Sequence, residues 1–133
     1  MLITKIYKPS EFNEAAKELR LGELVAFPTE TVYGLGADAT NEQAVKRVYL
    51  AKGRPSDNPL IVTVSSLEMV KRFVPSLSKD VEKIIEKFWP GSLTIVLKIK
   101  DGSLSKTVTG GLKTAAFRMP RNETTLNLIT ALG

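Results

Sequence analysis

Apolar runs of strand length alternate with stretches of helical spacing along this 133-residue chain. A continuous apolar run at residues 24–27 and the largely apolar segment 60–64 predict buried strands. Residues 3–7, 93–99 and 114–119 are interpreted as further strands. Residues 29–39 have no usable periodicity, and we predict that they form a loop.

Apolar residues at i, i+3, i+4 and i+7 predict helices between these strands. Glycines at positions 22 and 53 are expected to end the first two helices. The side chains expected to cap the helix N-termini are Ser10, Thr40 in a capping box with Gln43, Ser65 or Ser66, Ser78, and Asn122. The side chains expected to face the core are Phe12, Ala15, Ala16, Leu19, Ala44, Val45, Val48, Tyr49, Leu67, Val70, Phe73, Val81, Ile84, Ile85, Phe88, Leu126, Ile129 and Leu132.

This mixture of strands and helices predicts an α/β or α+β fold with one twisted mixed sheet flanked by helices. We expect a single domain over residues 1–133. Asp101 and Gly102 are typical of a hairpin turn. The chain ends where its last helix would lead to another strand, so we expect the domain to be truncated at its C-terminus.

Composition narrows the possible chemistry. The chain has no cysteine and no histidine, which excludes disulfides, thiol nucleophiles, imidazole bases and the usual zinc sites. No apolar run approaches the roughly 20 residues of a membrane helix, and the first residues lack a signal-peptide pattern. We therefore expect a cytoplasmic protein without a metal site of its own.

The formal net charge is +5. Such a surface is compatible with an anionic partner such as a nucleotide or RNA, and equally with a mildly basic surface that has no partner.

The segment KGRPSDNP, residues 52–59, follows a predicted helix. Gly53 interrupts that helix, so Lys52 and Arg54 can point into one space. Arg54 and Asn58 each precede a proline, which favours extended backbone and a stiff loop. An ammonium, a guanidinium and an amide at fixed positions suit a polyphosphate. The alternative is a helix C-terminus with favourable cations, followed by an ordinary proline turn.

The segment TETVYGLGA, residues 29–37, directly follows a predicted strand. Loops at strand ends often hold ligands in α/β proteins, and this one has two threonine hydroxyls, a carboxylate and a phenol. It matches neither a Walker loop nor a dinucleotide fingerprint. A structural crossover loop is the alternative.

Arg118 lies within the last predicted strand. On a central strand it would have to face a cavity or a carboxylate, whereas on an edge strand it could lie in solvent.

The motifs PTETVYGLGADA, AKGRPSDNPLIV, FWPGSLTIVL and FRMP together resemble the YrdC family, the L-threonylcarbamoyl-adenylate synthases of tRNA modification. The resemblance spans nearly the whole chain, in order. It implies a twisted mixed sheet with helices around a basic concave cavity. It also implies a nucleotidyltransferase that forms threonylcarbamoyl-AMP and pyrophosphate from L-threonine, bicarbonate and ATP. Mg²⁺ would arrive with the ATP, and other enzymes would transfer the threonylcarbamoyl group to tRNA.

The resemblance also implies roles for individual residues. Lys52 and Arg54 correspond to the family's Lys-x-Arg motif at the triphosphate and would be the catalytic residues. The positions that would contact ATP besides these are Asn58 and Thr114. The positions that would hold L-threonine are Thr31, Thr63 and Arg118.

Two departures from the family pattern stand out. Thr63 occupies a position where many members have a histidine. The Ser-x-Asn motif that completes the nucleotide site has no counterpart in this chain. Two other functions are compatible with the resemblance: a module that binds double-stranded RNA or tRNA, and a YrdC-like domain that makes a carbamoyl-adenylate from carbamoyl phosphate.

Overall fold

A computed structural model describes residues 5–29, 33–53 and 59–133. Three of the candidate site residues, Thr31, Arg54 and Asn58, lie outside these ranges. The elements, after a 3-10 turn at Pro9–Glu11, are α1 Phe12–Arg20, β1 Val25–Phe27, β2 Gly34–Gly36, α2 Glu42–Lys52, β3 Ile61–Thr63, α3 Leu67–Lys71, α4 Lys79–Phe88, β4 Ile95–Lys98, α5 Lys106–Thr109, β5 Thr114–Arg118 and α6 Glu123–Leu132.

The fold is the expected mixture of α-helices and β-strands, but the strands of the described ranges form two sheets. One has the order β3-β5-β4, and the other is the pair β1-β2. The central strand β5 runs parallel to β3 and antiparallel to β4, so the larger sheet is mixed as predicted. Both neighbours of β5 come earlier in the chain, and each of them pairs with β5. The sheet is therefore assembled on β5.

The two faces of β5 differ in their surroundings. Ala115 and Phe117 are 4% and 0% exposed and lie in the main core. Thr114, Ala116 and Arg118 alternate with them on the opposite face and are only partly buried. Since side chains alternate along a strand, one face of the sheet is packed and the other is open to a ligand.

The prediction of a loop over residues 29–39 was wrong for its middle part, where β2 pairs with β1 in antiparallel register. A β-carbon at Gly34 would lie 2.9 Å from the ring of Phe27, and one at Gly36 would lie 2.7 Å from it. The absence of side chains therefore lets β2 approach the Phe27 ring. Glycine is uncommon in strands, which is why the pattern did not indicate one. The run at residues 24–27 is also less buried than predicted, since Ala26 is exposed.

Other strand predictions were partly right. Residues 61–63, 95–98 and 114–118 form strands within the predicted runs. Residues 5–7, the described part of the first predicted strand, are not in a strand. The Asp101-Gly102 turn is not a simple hairpin, because α5 lies between β4 and β5. In β3 only Val62 is buried.

The cap predictions were confirmed for three helices and wrong for two. Ser66, Ser78 and Asn122 each accept a hydrogen bond from a backbone N–H of the first turn. The cap of α2 is Asn41, which accepts from the N–H of Ala44 at 3.1 Å. The hydroxyl of Thr40 instead donates to Asp38 at 2.7 Å.

Helix α1 is preceded by the 3-10 turn, so Ser10 lies inside that turn and Glu11 occupies the cap position. The prediction that glycines end the first two helices was correct. Gly22 has φ 86° directly after α1, and Gly53 has φ 62° at the end of α2. These left-handed conformations favour glycine.

The predicted inner faces were correct for α1 and α2, where the buried residues are Ala15, Ala16, Leu19, Ala44, Val45, Val48 and Tyr49. In α4 only Ile85 of the predicted face is buried, whereas Ile84 and Phe88 are 43% and 50% exposed. In α6 the buried residues are Thr125 and Leu128. Leu128 packs with α1 in a cluster separate from the main core, and this contact sets the rotation of α6.

The helices in the described part of the chain are too short and too polar to cross a membrane.

Candidate functional site

A cavity of about 570 Å³ lies between the two sheets, α2 and α6. Its described lining includes backbone and apolar side chains from β1, β2 and β3, and side chains from the inner side of α6. The charged residues in that described lining are Asp38, Lys52, Arg72 and Arg118. Three cations against one acid make this part of the cavity basic, as the sequence predicted.

Thr63 and Arg118 form the centre of the site. They are register partners on the adjacent parallel strands β3 and β5, and both line the cavity. Neighbouring strands lie about 4.8 Å apart, so the two side chains start from adjacent backbone positions on the wall of the cavity. Because β5 is the central strand of its sheet, the interpretation of Arg118 as a solvated edge residue was wrong.

The backbone around Gly91 holds the Arg118 side chain. The Nε of Arg118 donates to the carbonyl of Gly91 at 3.0 Å, and the N–H of Gly91 donates to the carbonyl of Met119 at 2.8 Å. A β-carbon at Gly91 would lie 2.7 Å from the carbonyl oxygen of Phe88, so the tight approach requires glycine. Arg118 is thereby held in a fixed direction while it lines the cavity.

Lys52 is the last residue of α2 and lines the cavity from the opposite side. Gly53 follows it with a left-handed backbone, and a β-carbon there would meet nothing within 4 Å. The glycine is thus needed for its backbone conformation and not for space. Helix α2 therefore ends at this point, as the sequence predicted.

Thr114 lies on the same face of β5 as Arg118 but four residues away, which is about 13 Å along a strand. It is partly buried and is the register partner of Lys98 on β4. Thr114 is not part of the described cavity lining. The structure therefore brings together Lys52, Thr63 and Arg118 and leaves Thr114 further along the open face.

Sequence reasoning missed two polar residues of the lining. Arg72 follows α3, and its guanidinium lies 5.7 Å from the centre of the Phe73 ring. Thr125 is 1% exposed and its hydroxyl donates to the carbonyl of Pro28. Thr125 lies three residues after the Asn122 cap, on the inward side of α6. Its polar side chain gave no indication of this burial in the sequence. Arg72 had no signal, since one arginine near an amphipathic helix is typical of an exposed face.

The strongest electrostatic perturbation in α2 lies at its other end. The hydroxyl of Thr107 donates to the carboxylate of Glu42. This hydrogen bond, with further contributions from Ser105 and the charge of Lys46, holds the pKa of Glu42 below its ordinary value. Glu42 therefore remains ionised at the N-terminus of α2, where a negative charge is favourable.

Within residues 5–29, 33–53 and 59–133, no group of three or more acidic, histidine or cysteine side chains could hold a metal ion. The site therefore offers hydroxyl, guanidinium and ammonium groups above an apolar floor. These groups suit a ligand with a carboxylate or phosphate at one end. The fold and site define a mixed α/β protein with a cationic cavity between its two sheets.

The comparisons with known proteins give the family. The family profile Sua5/YciO/YrdC, described as "Telomere recombination", matches residues 17–133. The chain belongs to this family, as the sequence motifs indicated.

Two relatives are similar to most of this chain. It is 51% identical over 115 residues to the threonylcarbamoyl-AMP synthase of Pyrococcus abyssi, covering 86% of this chain and 34% of that protein. It is 49% identical over 120 residues to the threonylcarbamoyl-AMP synthase of Bacillus subtilis, covering 90% of this chain and 35% of that protein. The chain thus spans about a third of the length of these relatives.

A solved structure has the same fold. The crystal structure of P. abyssi Sua5 complexed with L-threonine superposes with a TM-score of 0.88 at 45% identity, covering 96% of this chain and 37% of that one.

Proposed function

We propose that this chain contributes the substrate cavity of an L-threonylcarbamoyladenylate synthase. In this reaction L-threonine, bicarbonate and ATP give threonylcarbamoyl-AMP and pyrophosphate. The observation that supports the proposal most directly is the adjacent pair Thr63 and Arg118 on the cavity wall, in a fold similar to a protein solved with L-threonine. We treat residues 1–133 as one YrdC-like domain.

The threonine end of the site is assigned to the open face of the larger sheet. Arg118 would bind the amino-acid carboxylate with its planar guanidinium, since its direction is fixed by Gly91. Thr63 would donate its hydroxyl to the same ligand, which is the role of a hydrogen-bond donor that histidine has in other members. Thr31 is proposed as a further threonine contact.

The nucleotide end is assigned to the side of the cavity where α2 ends. Lys52 and Arg54 would neutralise the triphosphate, and Asn58 and Thr114 would contact ATP. L-Threonine and bicarbonate first combine to N-carboxythreonine, with loss of water. The carbamate oxygen of N-carboxythreonine then attacks the α-phosphorus, the bond from this phosphorus to the bridging oxygen breaks, and pyrophosphate leaves. Such a step depends mainly on positioning and on charge stabilisation. Mg²⁺ enters as part of the ATP substrate.

The product is a mixed anhydride whose threonylcarbamoyl group other enzymes would transfer to an adenosine of tRNA. We therefore propose downstream tRNA threonylcarbamoyl-transfer enzymes as functional partners and the cytoplasm as the location. tRNA or double-stranded RNA is a further candidate ligand of the basic surface.

Isothermal titration of the chain with L-threonine, and separately with Mg²⁺-ATP, tests the proposal. We expect both to bind. Arg118→Lys should weaken L-threonine binding about tenfold or more because a point charge cannot replace two parallel hydrogen bonds. Lys100→Arg, on the exposed segment after β4, is a charge-matched control that should leave both affinities unchanged.

Pyrophosphate release separates the competing functions. Release that depends on L-threonine and bicarbonate supports the synthase, and Arg54→Ala should reduce it by about 100- to 1000-fold. Release that depends on carbamoyl phosphate would favour the carbamoyl-adenylate alternative. Salt-sensitive RNA binding without any ATP binding would contradict both enzymes and favour an RNA-binding module.

A further inference from the structure

We propose that residues 105–109, which include α5, position the ATP-binding side of the cavity, with Thr107 as the positioning residue. This inference rests on the proposed function, because it assumes that Lys52 and the residues after it bind ATP. None of the motifs that identify the family includes these residues. Four hydrogen bonds connect this segment to the elements flanking the site.

The first contacts hold α2. The hydroxyl of Tyr49 donates to the carbonyl of Thr107 at 3.0 Å, and the hydroxyl of Thr107 donates to the carboxylate of Glu42. Glu42 and Tyr49 are seven residues apart and therefore lie on one face of α2, two turns from each other. One residue thus fixes both the rotation and the axial position of the helix that ends at Lys52.

The second contact holds the start of β3. The N–H of Leu60 donates to the carbonyl of Val108 at 2.9 Å. The consecutive carbonyls of Thr107 and Val108 therefore accept hydrogen bonds from residues on either side of the segment 52–59. The residues on both sides of that segment are therefore held by the same short helix.

The third contact reaches the other side of the cavity. The N–H of Ser105 donates to the carbonyl of Ala39 at 3.0 Å, and Ala39 lines the cavity after β2. Ser105 and Val108 are 6% and 3% exposed, so these hydrogen bonds are shielded from water. Residues 105–109 thus connect the end of the first motif, α2 and the start of β3.

This arrangement has a consequence for binding. Lys52 follows Tyr49 by three residues, which is a rise of about 4.5 Å along the helix. A small rotation or shift of α2 would displace the Lys52 ammonium from the triphosphate, and displacements near 1 Å are known to have large effects on enzymes. Thr63 and Arg118 are held by the β3-β5 ladder, so threonine binding should not depend on Thr107.

Two variants test the inference, and each removes one hydroxyl. Tyr49→Phe keeps the buried ring but loses the hydrogen bond to Thr107, and Thr107→Val loses the hydrogen bond to Glu42. The matched control is Tyr7→Phe, which removes a hydroxyl that donates to a glutamate, Glu18, at 3.2 Å on the distant helix α1. Titration calorimetry gives the dissociation constants for Mg²⁺-ATP and L-threonine at a temperature where circular dichroism shows every variant folded.

We expect each test variant to bind ATP about fivefold more weakly and L-threonine within about twofold of wild type. The control should match wild type for both ligands. Hydrogen exchange gives a readout without ligand: the Leu60 amide should exchange faster in Tyr49→Phe, while the amides of β5 keep their wild-type rates. A purely structural role would instead raise exchange throughout the core.

Unchanged ATP affinity and unchanged exchange at Leu60 in both variants would overturn the inference and leave the proposed function intact. Equal losses of ATP and threonine affinity would also overturn it, because they indicate general loosening. A wild-type chain that binds L-threonine but no ATP would overturn the proposed function together with this inference.

Discussion

At the scale of single residues, Gly34 and Gly36 determine where β2 lies. Both are close to the ring of Phe27, and neither position has room for a β-carbon without a shift of that ring. Spacing of two in a strand places both glycines on one face, which is the face that meets the ring. Two glycines at this spacing can therefore indicate a close approach of two strands, and not only a flexible loop.

We expect Gly36→Ala to destabilise the protein by about 1–2 kcal/mol, because its methyl group would overlap the Phe27 ring edge. The measurement is the free energy of unfolding by urea. In a Phe27→Leu background the ring is absent, so the same substitution should cost much less. An equal cost in both backgrounds would mean that the contact with Phe27 is not the cause.

At the scale of elements, the chemistry of each helix end explains which boundaries could be predicted. Ser66, Ser78 and Asn122 cap as the sequence indicated. Thr40 does not. Its hydroxyl donates to Asp38 two residues earlier, and the next residue, Asn41, takes the cap. Two neighbouring residues of a capping type thus allow two helix starts one residue apart, and the pattern alone does not choose between them.

The first turn of α2 makes stability depend on pH. The folded-state pKa of Glu42 is lowered, first by the hydrogen bond from Thr107, so the contribution of Glu42 is present above its ordinary pKa of 4.5 and is lost as pH falls through the lower folded value. We expect Glu42→Gln to lower Tm by about 3 °C at pH 7 and by less at pH 3. Thermal unfolding by circular dichroism at the two pH values measures this difference.

A matched control is Glu86→Gln, which changes an exposed glutamate on α4. It should change Tm little at either pH. A Glu42→Gln variant whose loss of stability is equal at pH 7 and pH 3 would contradict the assignment.

At the scale of the whole molecule, the core is divided. The main cluster joins α2, α3, α4 and the packed face of the larger sheet. A smaller cluster joins α1 and α6 and includes Leu128, and the cavity lies between the two groups of elements. The walls of the cavity therefore belong to separately packed units, which leaves space between them for a ligand.

Leu128→Ala should destabilise the chain by about 2–5 kcal/mol, because it removes a buried side chain at the contact between α6 and α1. Urea unfolding measures the loss. Leu126→Ala, at a partly buried position on the same helix, is the control and should cost clearly less. A smaller loss for Leu128 than for Leu126 would support the inner face that the sequence predicted and contradict the observed one.

Local patterns predicted the α/β class, most helices, the strand that contains Arg118 and the cavity residues Lys52 and Arg118, whereas only the family resemblance indicated Thr63. They could not predict properties that depend on distant contacts. The rotation of α6 is set by α1, Arg118 donates to a backbone carbonyl 27 residues away, and the glycines of β2 lie against a ring on the preceding strand. Arg72 and Thr125 reach the cavity only through tertiary packing.

The register of β3 against β5 has one more consequence. Val62 points into the core and Thr63 points to the ligand face. A shift of the strand by one position would exchange these two directions. Inserting a single residue between positions 60 and 62 would bury the hydroxyl, expose the valine and separate the two side chains assigned to the amino-acid substrate. A chain of this kind can therefore change length freely in its exposed turns, but ligand recognition fixes the spacing within one of its three-residue strands.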